Sequence, residues 1–175
     1  MGSLFSSVVL GIIGGLLGAC FVIGNIKVNM FRRAYMISKK IRVFEAILFA
    51  FVTSSAFFWL PSSTKDYCQS TDEINEQYQD LLVRYDCEKG QFNPLASMFF
   101  NEEIGSIRTI ISSHAGEGGI KVEPAYLMLY AAIWYSMWIL TYGVWVPAGL
   151  FLPGIIVGCS VGSVYEQVRE EFYLN

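Results

Sequence analysis

Residues 143–147 are the segment of this sequence with the clearest potential for chemistry. They read Gly-Val-Trp-Val-Pro, and no charged residue lies between Ala125 and Ser160. Gly143 permits an unusual backbone conformation, and Pro147 can begin a helix. Where a broken helix crosses a membrane, its free amides and positive N-terminus can hold an anion without a cationic side chain. The segment predicts a backbone anion site or an ordinary turn between two helices, and periodicity alone does not decide between them.

The cysteines and the single histidine suggest little further chemistry. Cys20 and Cys159 lie in apolar segments, where a cysteine is most simply a small buried side chain. Cys68 and Cys87 lie in an acidic segment, where we expect a disulfide in preference to two free thiols. His114 is too isolated to support a metal site.

Enzymatic activity is not expected. Ionisable groups inside a membrane are costly and therefore mark function, but the longest apolar stretch has none. Glu45 is the one acid within a hydrophobic block, and we expect it to snorkel or to cap a helix beside Arg42. There is no nucleophile–base arrangement, phosphate loop or dinucleotide motif, so no cofactor is expected either.

The composition places these residues in a membrane protein. Of the 175 residues, 54% are hydrophobic and only 15% are charged, whereas a soluble domain carries about 25% charged residues. The net charge of −3 and the lack of a basic face exclude nucleic-acid binding. Membrane lipid is therefore the expected surrounding.

The hydrophobic blocks are long enough for several membrane helices, since one crossing takes about 20 apolar residues. The predicted organisation, in chain order, is a glycine-rich membrane helix over 1–26, a basic connection over 27–42, a membrane helix over 43–60, an acidic loop with short amphipathic helices over 61–123, a membrane helix over 124–142, the break over 143–147 and a membrane helix over 148–175.

The charge distribution predicts the orientation. Six basic residues and no acid lie between Lys27 and Arg42, which by the positive-inside rule places this connection in the cytosol. The segment from Pro61 to Gln91 has seven acids and three bases, which suits the luminal or extracellular side. Later in this segment, Asn93 and Pro94 form a helix start signal. The short helix they begin should lie against the membrane or dip partly into it.

Small residues predict close helix contacts. Two overlapping glycine pairs lie in the first helix, Gly11 with Gly15 and Gly14 with Gly18. Three glycines lie four residues apart in the last helix, Gly154, Gly158 and Gly162. Such spacing lets another helix approach closely. We expect a subunit contact at the first helix and packing within the chain at the last.

Several segments, in order, resemble the CLC family of chloride channels and transporters. GVWVPAGLFLPGIIVGCSVGSVYE resembles its G-x-F-x-P motif and the helix that follows, and GIIGGLLGACF resembles its glycine-rich segment. The basic MFRRAYMISKKIRVFEA and the later YDCEKGQFNPLASMFFNEEIGSIRTI are similar to family segments as well. TYGVWVPAGLFLP is most like the plant vacuolar and lysosomal branch. Trp145 stands where the family usually has Phe, and Val22 where it usually has Asn.

The resemblance implies an all-α, multi-pass membrane fold of tilted and broken helices, present here as the middle part of a subunit. It implies part of a chloride channel or anion/proton antiporter that conducts chloride or nitrate, with chloride bound by the backbone of Gly143, Val144, Trp145, Val146 and Pro147. It further implies a homodimer through the Leu4–Ile26 helix, an endomembrane location, and a need for pore helices before and after these. The alternative is a CLC-derived assembly subunit that transports nothing.

Overall fold

The computed structural model describes residues 2–63, 67–72, 74–113 and 119–174, so His114 lies outside the described residues. Within these ranges the helices are α1 (Gly2–Tyr35), α2 (Lys39–Ser62), a 3-10 helix (Glu76–Leu81), α3 (Pro94–Phe100), α4 (Glu103–Ser112), α5 (Pro124–Thr141) and α6 (Phe151–Leu174). Two short antiparallel strands, β1 (Gln69–Ser70) and β2 (Gln91–Phe92), pair Gln69 with Phe92. The predicted all-α membrane architecture is confirmed.

Three described helices are long and apolar enough to cross a membrane: α1, α2 and α6. With 34 residues, α1 is about 50 Å long, well beyond the roughly 30 Å of a bilayer core. It must tilt or extend into the aqueous phase. The 18 residues of α5 include five aromatic side chains and are not among these candidates. That α5 crosses the membrane therefore stays a prediction.

The basic connection is mostly helical. We predicted it over 27–42, but α1 continues to Tyr35 and α2 begins at Lys39, so only residues 36–38 lie outside helices. The physical reason is that 27–42 contains neither glycine nor proline, and Lys, Arg, Met and Ala sustain a helix well. The Arg42 side chain closes the short turn, because its Nε donates to the Met36 carbonyl at 3.0 Å.

The described residues between α2 and α5 (67–72, 74–113 and 119–123) pack around α3, and we call them the cap. The predicted cap at Asn93 is confirmed: its side-chain oxygen accepts from the amides of Leu95 and Ala96. However, α3 is not amphipathic, since Pro94 to Phe99 are all buried. It packs into a core with α4, α5 and α6 that includes Leu95, Met98, Phe99, Ile110, Leu127, Tyr130 and Ile156. The cap thus fixes the relative position of α5 and α6, the two helices on either side of the break.

A disulfide joins Cys68 to Cys87 in the structure. It links the residue before β1 to the turn before β2. Beside it, the Thr71 amide donates to the Gly90 carbonyl at 2.9 Å. Cys159 is half-buried, but Cys20 is exposed on α1, contrary to the expectation that it is buried. The reason is that α1 packs against few other parts of the chain, so most of its apolar surface is open to lipid or to other helices.

The glycines of α6 differ from their expected role. A Cβ at Gly154 would lie 3.4 Å from the Trp138 ring, so this glycine does pack within the chain. A Cβ at Gly158 or Gly162 would meet no described atom within 4 Å. Packing within the chain therefore explains only the first of the three.

Candidate anion site and its polar support

The break between α5 and α6 is a tight turn followed by an extended segment. Gly143 has φ +105°, a conformation that side chains with a Cβ rarely adopt. The Val144 amide donates to the Thr141 carbonyl at 3.1 Å, and the Val146 amide donates to the Val144 carbonyl at 2.7 Å. The positive-φ residue thus lies within the predicted break at 143–147, whereas the residues outside helices run from 142 to 150.

The break does not lie directly at a helix start. We expected the last helix to begin at Ala148, whereas α6 begins at Phe151. Gly149 disfavours helix at that point, and Pro153 is tolerated only because it falls in the first turn of α6. In this conformation the amides of Val144 and Val146 donate to carbonyls of the turn, those of Thr141 and Val144. Anion contact by the 143–147 backbone stays a prediction.

Two asparagines of α1 hold the end of α5. Asn25 Nδ2 donates to the carbonyls of Tyr142 at 2.7 Å and Ile139 at 3.1 Å. Asn29 Nδ2 donates to Asn25 Oδ1 at 2.8 Å and to the Asn25 carbonyl at 3.0 Å. A helix leaves its last carbonyls without partners. Here the side chains of a neighbouring helix satisfy those carbonyls immediately before the break.

A buried ion pair joins α1 and α2 beside the same carbonyls. Arg32 Nε lies 2.5 Å from Glu45 Oε1, and the two side chains are only 8% and 7% exposed. The Arg32 guanidinium also donates to the carbonyls of Tyr142, at 3.3 Å, and Leu140. The expectation that Glu45 snorkels or caps a helix beside Arg42 is therefore wrong, because its partner is Arg32. Glu45 is buried because the helical continuation of α1 brings Arg32 within reach.

A positively charged cavity of about 220 Å³ opens beside the break. Its wall includes Gly143 and Trp145 of the break, together with Arg32, Arg33, Arg42 and Glu45, which leaves a net charge of +2 on these side chains. The Arg42 guanidinium carbon lies 5.1 Å from the centroid of the Trp145 ring. Electrostatically, this environment favours an anion next to the break.

Sequence reasoning missed this polar support. Asn25, Asn29 and Arg32 are spaced by four and three residues, which places them on one face of a helix. Polar residues within an apolar helix usually face protein and mark function. That spacing was available in the sequence, but it has meaning only if α1 continues through residues 27–35, which we had assigned to a connection.

The comparisons with known proteins decide the family. The sequence profile of the voltage gated chloride channel family matches residues 1–175. The chain belongs to this family.

Individual CLC relatives agree with this membership. The chain is 31% identical over 158 residues to human H(+)/Cl(-) exchange transporter 7, with 90% of this chain and 19% of the relative covered. It is 29% identical over 179 residues to chloride channel protein CLC-d of Arabidopsis thaliana, with 94% and 22% covered. Chloride channel protein C of Dictyostelium discoideum is 28% identical over 172 residues, with 95% and 22% covered. This CLC segment spans about one fifth of the length of the curated relatives that it matches.

Proposed function

We propose that this chain forms part of the pore of a chloride channel or anion/proton antiporter, and that the backbone of residues 143–147 binds the transported anion. The observation that carries the proposal is the positive-φ turn at Gly143 in an uncharged segment, directly on the wall of an arginine-lined cavity. The names of the CLC relatives, which include both exchangers and channels, support the two activities equally.

The local hydrogen bonds of the break suit reversible anion binding. The bond from the Val146 amide to the Val144 carbonyl closes a three-residue turn at a neutral acceptor. A bond from an amide to an anion is charge-assisted and stronger. An arriving anion can therefore take over an amide of the turn, and the turn can take it back on release.

The arginines attract the anion without trapping it. The charge of Arg32 is largely neutralised by Glu45 at 2.5 Å, and the Arg42 guanidinium lies over the Trp145 ring. The net positive cavity raises the local anion concentration, whereas the contacts at the break are made by main-chain dipoles. Conduction requires binding that is favourable yet weak enough to release the ion.

The proposed orientation places the 27–42 segment in the cytosol and the cap on the luminal side. The basic residues of the first segment support this through the positive-inside rule. The Cys68–Cys87 disulfide supports an oxidising environment for the cap. The resemblance of TYGVWVPAGLFLP to the plant vacuolar and lysosomal branch favours an endomembrane.

We propose a homodimer that forms through α1. The glycines at 11, 14, 15 and 18 face open space, because a Cβ at any of them would meet no described atom within 4 Å. Close helix–helix contact in a membrane uses such small residues. The remaining apolar surface of α1 and α2 would contact lipid and the other helices of the pore.

Anion flux in liposomes tests the proposed function. The protein used is the longest natural product that contains this chain, with chloride efflux as the readout. Gly143→Val and Pro147→Leu should each reduce saturable efflux strongly because they displace the backbone of the break, whereas the matched change Val144→Ala should leave it nearly unchanged. Absence of chloride or nitrate flux in the unmodified protein would contradict transport and favour an assembly subunit.

A further inference from the structure

We propose that Asn29 of α1 is a positioning residue for the anion site, and that it sets the backbone geometry of the break and thereby the anion selectivity. The inference rests on the proposed function of residues 143–147. It assigns to a side chain on a different helix, more than 110 positions away in the sequence, control over how the break presents its amides.

Asn29 occupies the space that a side chain at position 143 would need. A Cβ built on Gly143 would lie 2.2 Å from Asn29 Oδ1 and 2.9 Å from both Cγ and Nδ2. These distances are far below van der Waals contact, so the amide group lies directly against the glycine α carbon. The position is thus restricted twice, by the φ of +105° and by Asn29.

The orientation of the Asn29 amide is fixed by α1 itself. Its Nδ2 donates to both oxygens of Asn25, at 2.8 and 3.0 Å, and Asn25 Nδ2 donates in turn to the Tyr142 carbonyl at 2.7 Å. That carbonyl belongs to the peptide unit joining Tyr142 to Gly143. Asn25 and Arg32 therefore hold this peptide unit at its oxygen, and Asn29 lies against the glycine α carbon and donates weakly, at 3.5 Å, to the same oxygen.

Asn29 lines the arginine-lined cavity, but we assign its effect to the backbone. Its amide nitrogen donates to Asn25 and, at 3.5 Å, to the Tyr142 carbonyl, and the side-chain atom nearest to a Cβ at Gly143 is an oxygen, which cannot donate to an anion. Loss of the side chain would remove the contact at the Gly143 α carbon, while Asn25 and Arg32 would still hold the Tyr142 carbonyl. The Gly143 backbone could then shift and would redirect the Val144 amide that follows. The expected effect is therefore on which anion fits best and how tightly it binds.

The test compares Asn29→Ala with a matched asparagine elsewhere in the longest natural protein that contains this chain. Asn101 also donates its side-chain amide to two backbone carbonyls, those of Leu81 and Ser97, both at 2.8 Å, but it does so in the cap. Both changes should lower thermal stability. Only Asn29→Ala should change the chloride-to-nitrate permeability ratio and the apparent KM for chloride, by about threefold to tenfold, the range that one net hydrogen bond covers.

A second comparison is specific to the contact between Asn29 and Gly143. Gly143→Ala should reduce flux severely in the unmodified protein and less severely in the Asn29→Ala background, since the steric conflict is then removed. Equal loss in both backgrounds would overturn the inference. If Asn29→Ala does not fold, Asn29→Ser replaces it in the selectivity experiment under the same criteria, because serine lacks the amide group. It does not replace it in the second comparison, since a serine Oγ at the position of the asparagine Cγ would still lie 2.9 Å from a Cβ at Gly143.

The outcomes separate this inference from the proposed function. If the unmodified protein transports anions and Asn29→Ala leaves selectivity and KM unchanged, the inference is wrong and the proposed function stands. If the unmodified protein transports no anion, the proposed function itself is wrong. If Asn101→Ala shifts selectivity as much as Asn29→Ala does, the effect reflects general destabilisation and the inference is again overturned.

Discussion

Arg42 lies over the ring of Trp145, with 5.1 Å between the guanidinium carbon and the ring centroid. This contact joins the first turn of α2 to the break between α5 and α6. The Nε of the same arginine donates to the Met36 carbonyl, so the α1–α2 turn and the break share one side chain. Trp145 stands where the motif that this segment resembles usually has Phe, and indole is the strongest cation–π partner among the aromatic side chains.

A double-mutant cycle measures this pair. Trp145→Leu, which removes the aromatic ring, and Arg42→Gln should be non-additive in the free energy of unfolding, with a coupling of about 0.5–1 kcal/mol, because Trp145 is 59% exposed in the chain. Chemical unfolding in mixed micelles gives the four values. Trp59, which is 68% exposed, is the control, and Trp59→Leu with Arg42→Gln should be additive. An additive result for Trp145 as well would contradict the role of the contact.

The Arg32–Glu45 pair should contribute strongly to stability. Glu45→Gln leaves the buried Arg32 charge without its carboxylate, so we expect the free energy of unfolding to fall by about 3 kcal/mol. The exposed pair of Arg108 and Asp80, with N–O distance 3.2 Å, is the control. Asp80→Asn should change the same quantity by less than about 1 kcal/mol. Equal, small effects for the two variants would show that Glu45 is not buried against Arg32 in the bilayer.

The Cys68–Cys87 disulfide provides a test of orientation. Non-reducing peptide mapping should find the two cysteines linked. In a Cys87→Ser variant, a membrane-impermeant maleimide should then label Cys68 only from the luminal side. A cysteine introduced by Lys39→Cys, in the same background, should react only from the cytosolic side. Labelling of Cys68 from the cytosolic side would contradict the proposed orientation.

The α1 glycine face should decide dimerisation. Because a Cβ at Gly14 meets no described atom within 4 Å, Gly14→Leu should leave the fold of the chain intact while preventing close approach of a second α1. Single-molecule photobleaching in liposomes should then show a shift from two-step to one-step traces. Gly24 differs, since a Cβ there lies 3.3 Å from Ile139, and Gly24→Leu should disturb the α1–α5 contact instead. Two-step traces unchanged in Gly14→Leu would place the interface elsewhere.

The sequence predicted well those features that depend on local chemistry. An uncharged run, a glycine with positive φ and an Asn-Pro helix start each act within a few residues, and each lies where the pattern placed it. The helical state of residues 27–35 and the burial of α3 were missed. The six basic residues among the sixteen of 27–42 suggested a solvated connection, although this segment contains no glycine or proline to end a helix.

The support around the break could not be predicted because it depends on distant contacts. Asn29 lies on α1 and Gly143 follows α5, and the two residues meet through the packing of α1 against the end of α5. No local pattern indicates that a Cβ at Gly143 would lie 2.2 Å from Asn29. The same holds for Glu45, whose partner is Arg32 on a different helix rather than its neighbour Arg42.

Anomalous diffraction from crystals soaked in bromide tests the central claim most directly. In the longest natural protein that contains this chain, we predict a bromide peak within hydrogen-bond distance of a backbone amide of residues 144–146. The peak should be lost in Gly143→Val and retained in Val144→Ala. A bromide peak that persists in Gly143→Val, or one bound only by the side chains of Arg33 and Arg42, would contradict the account.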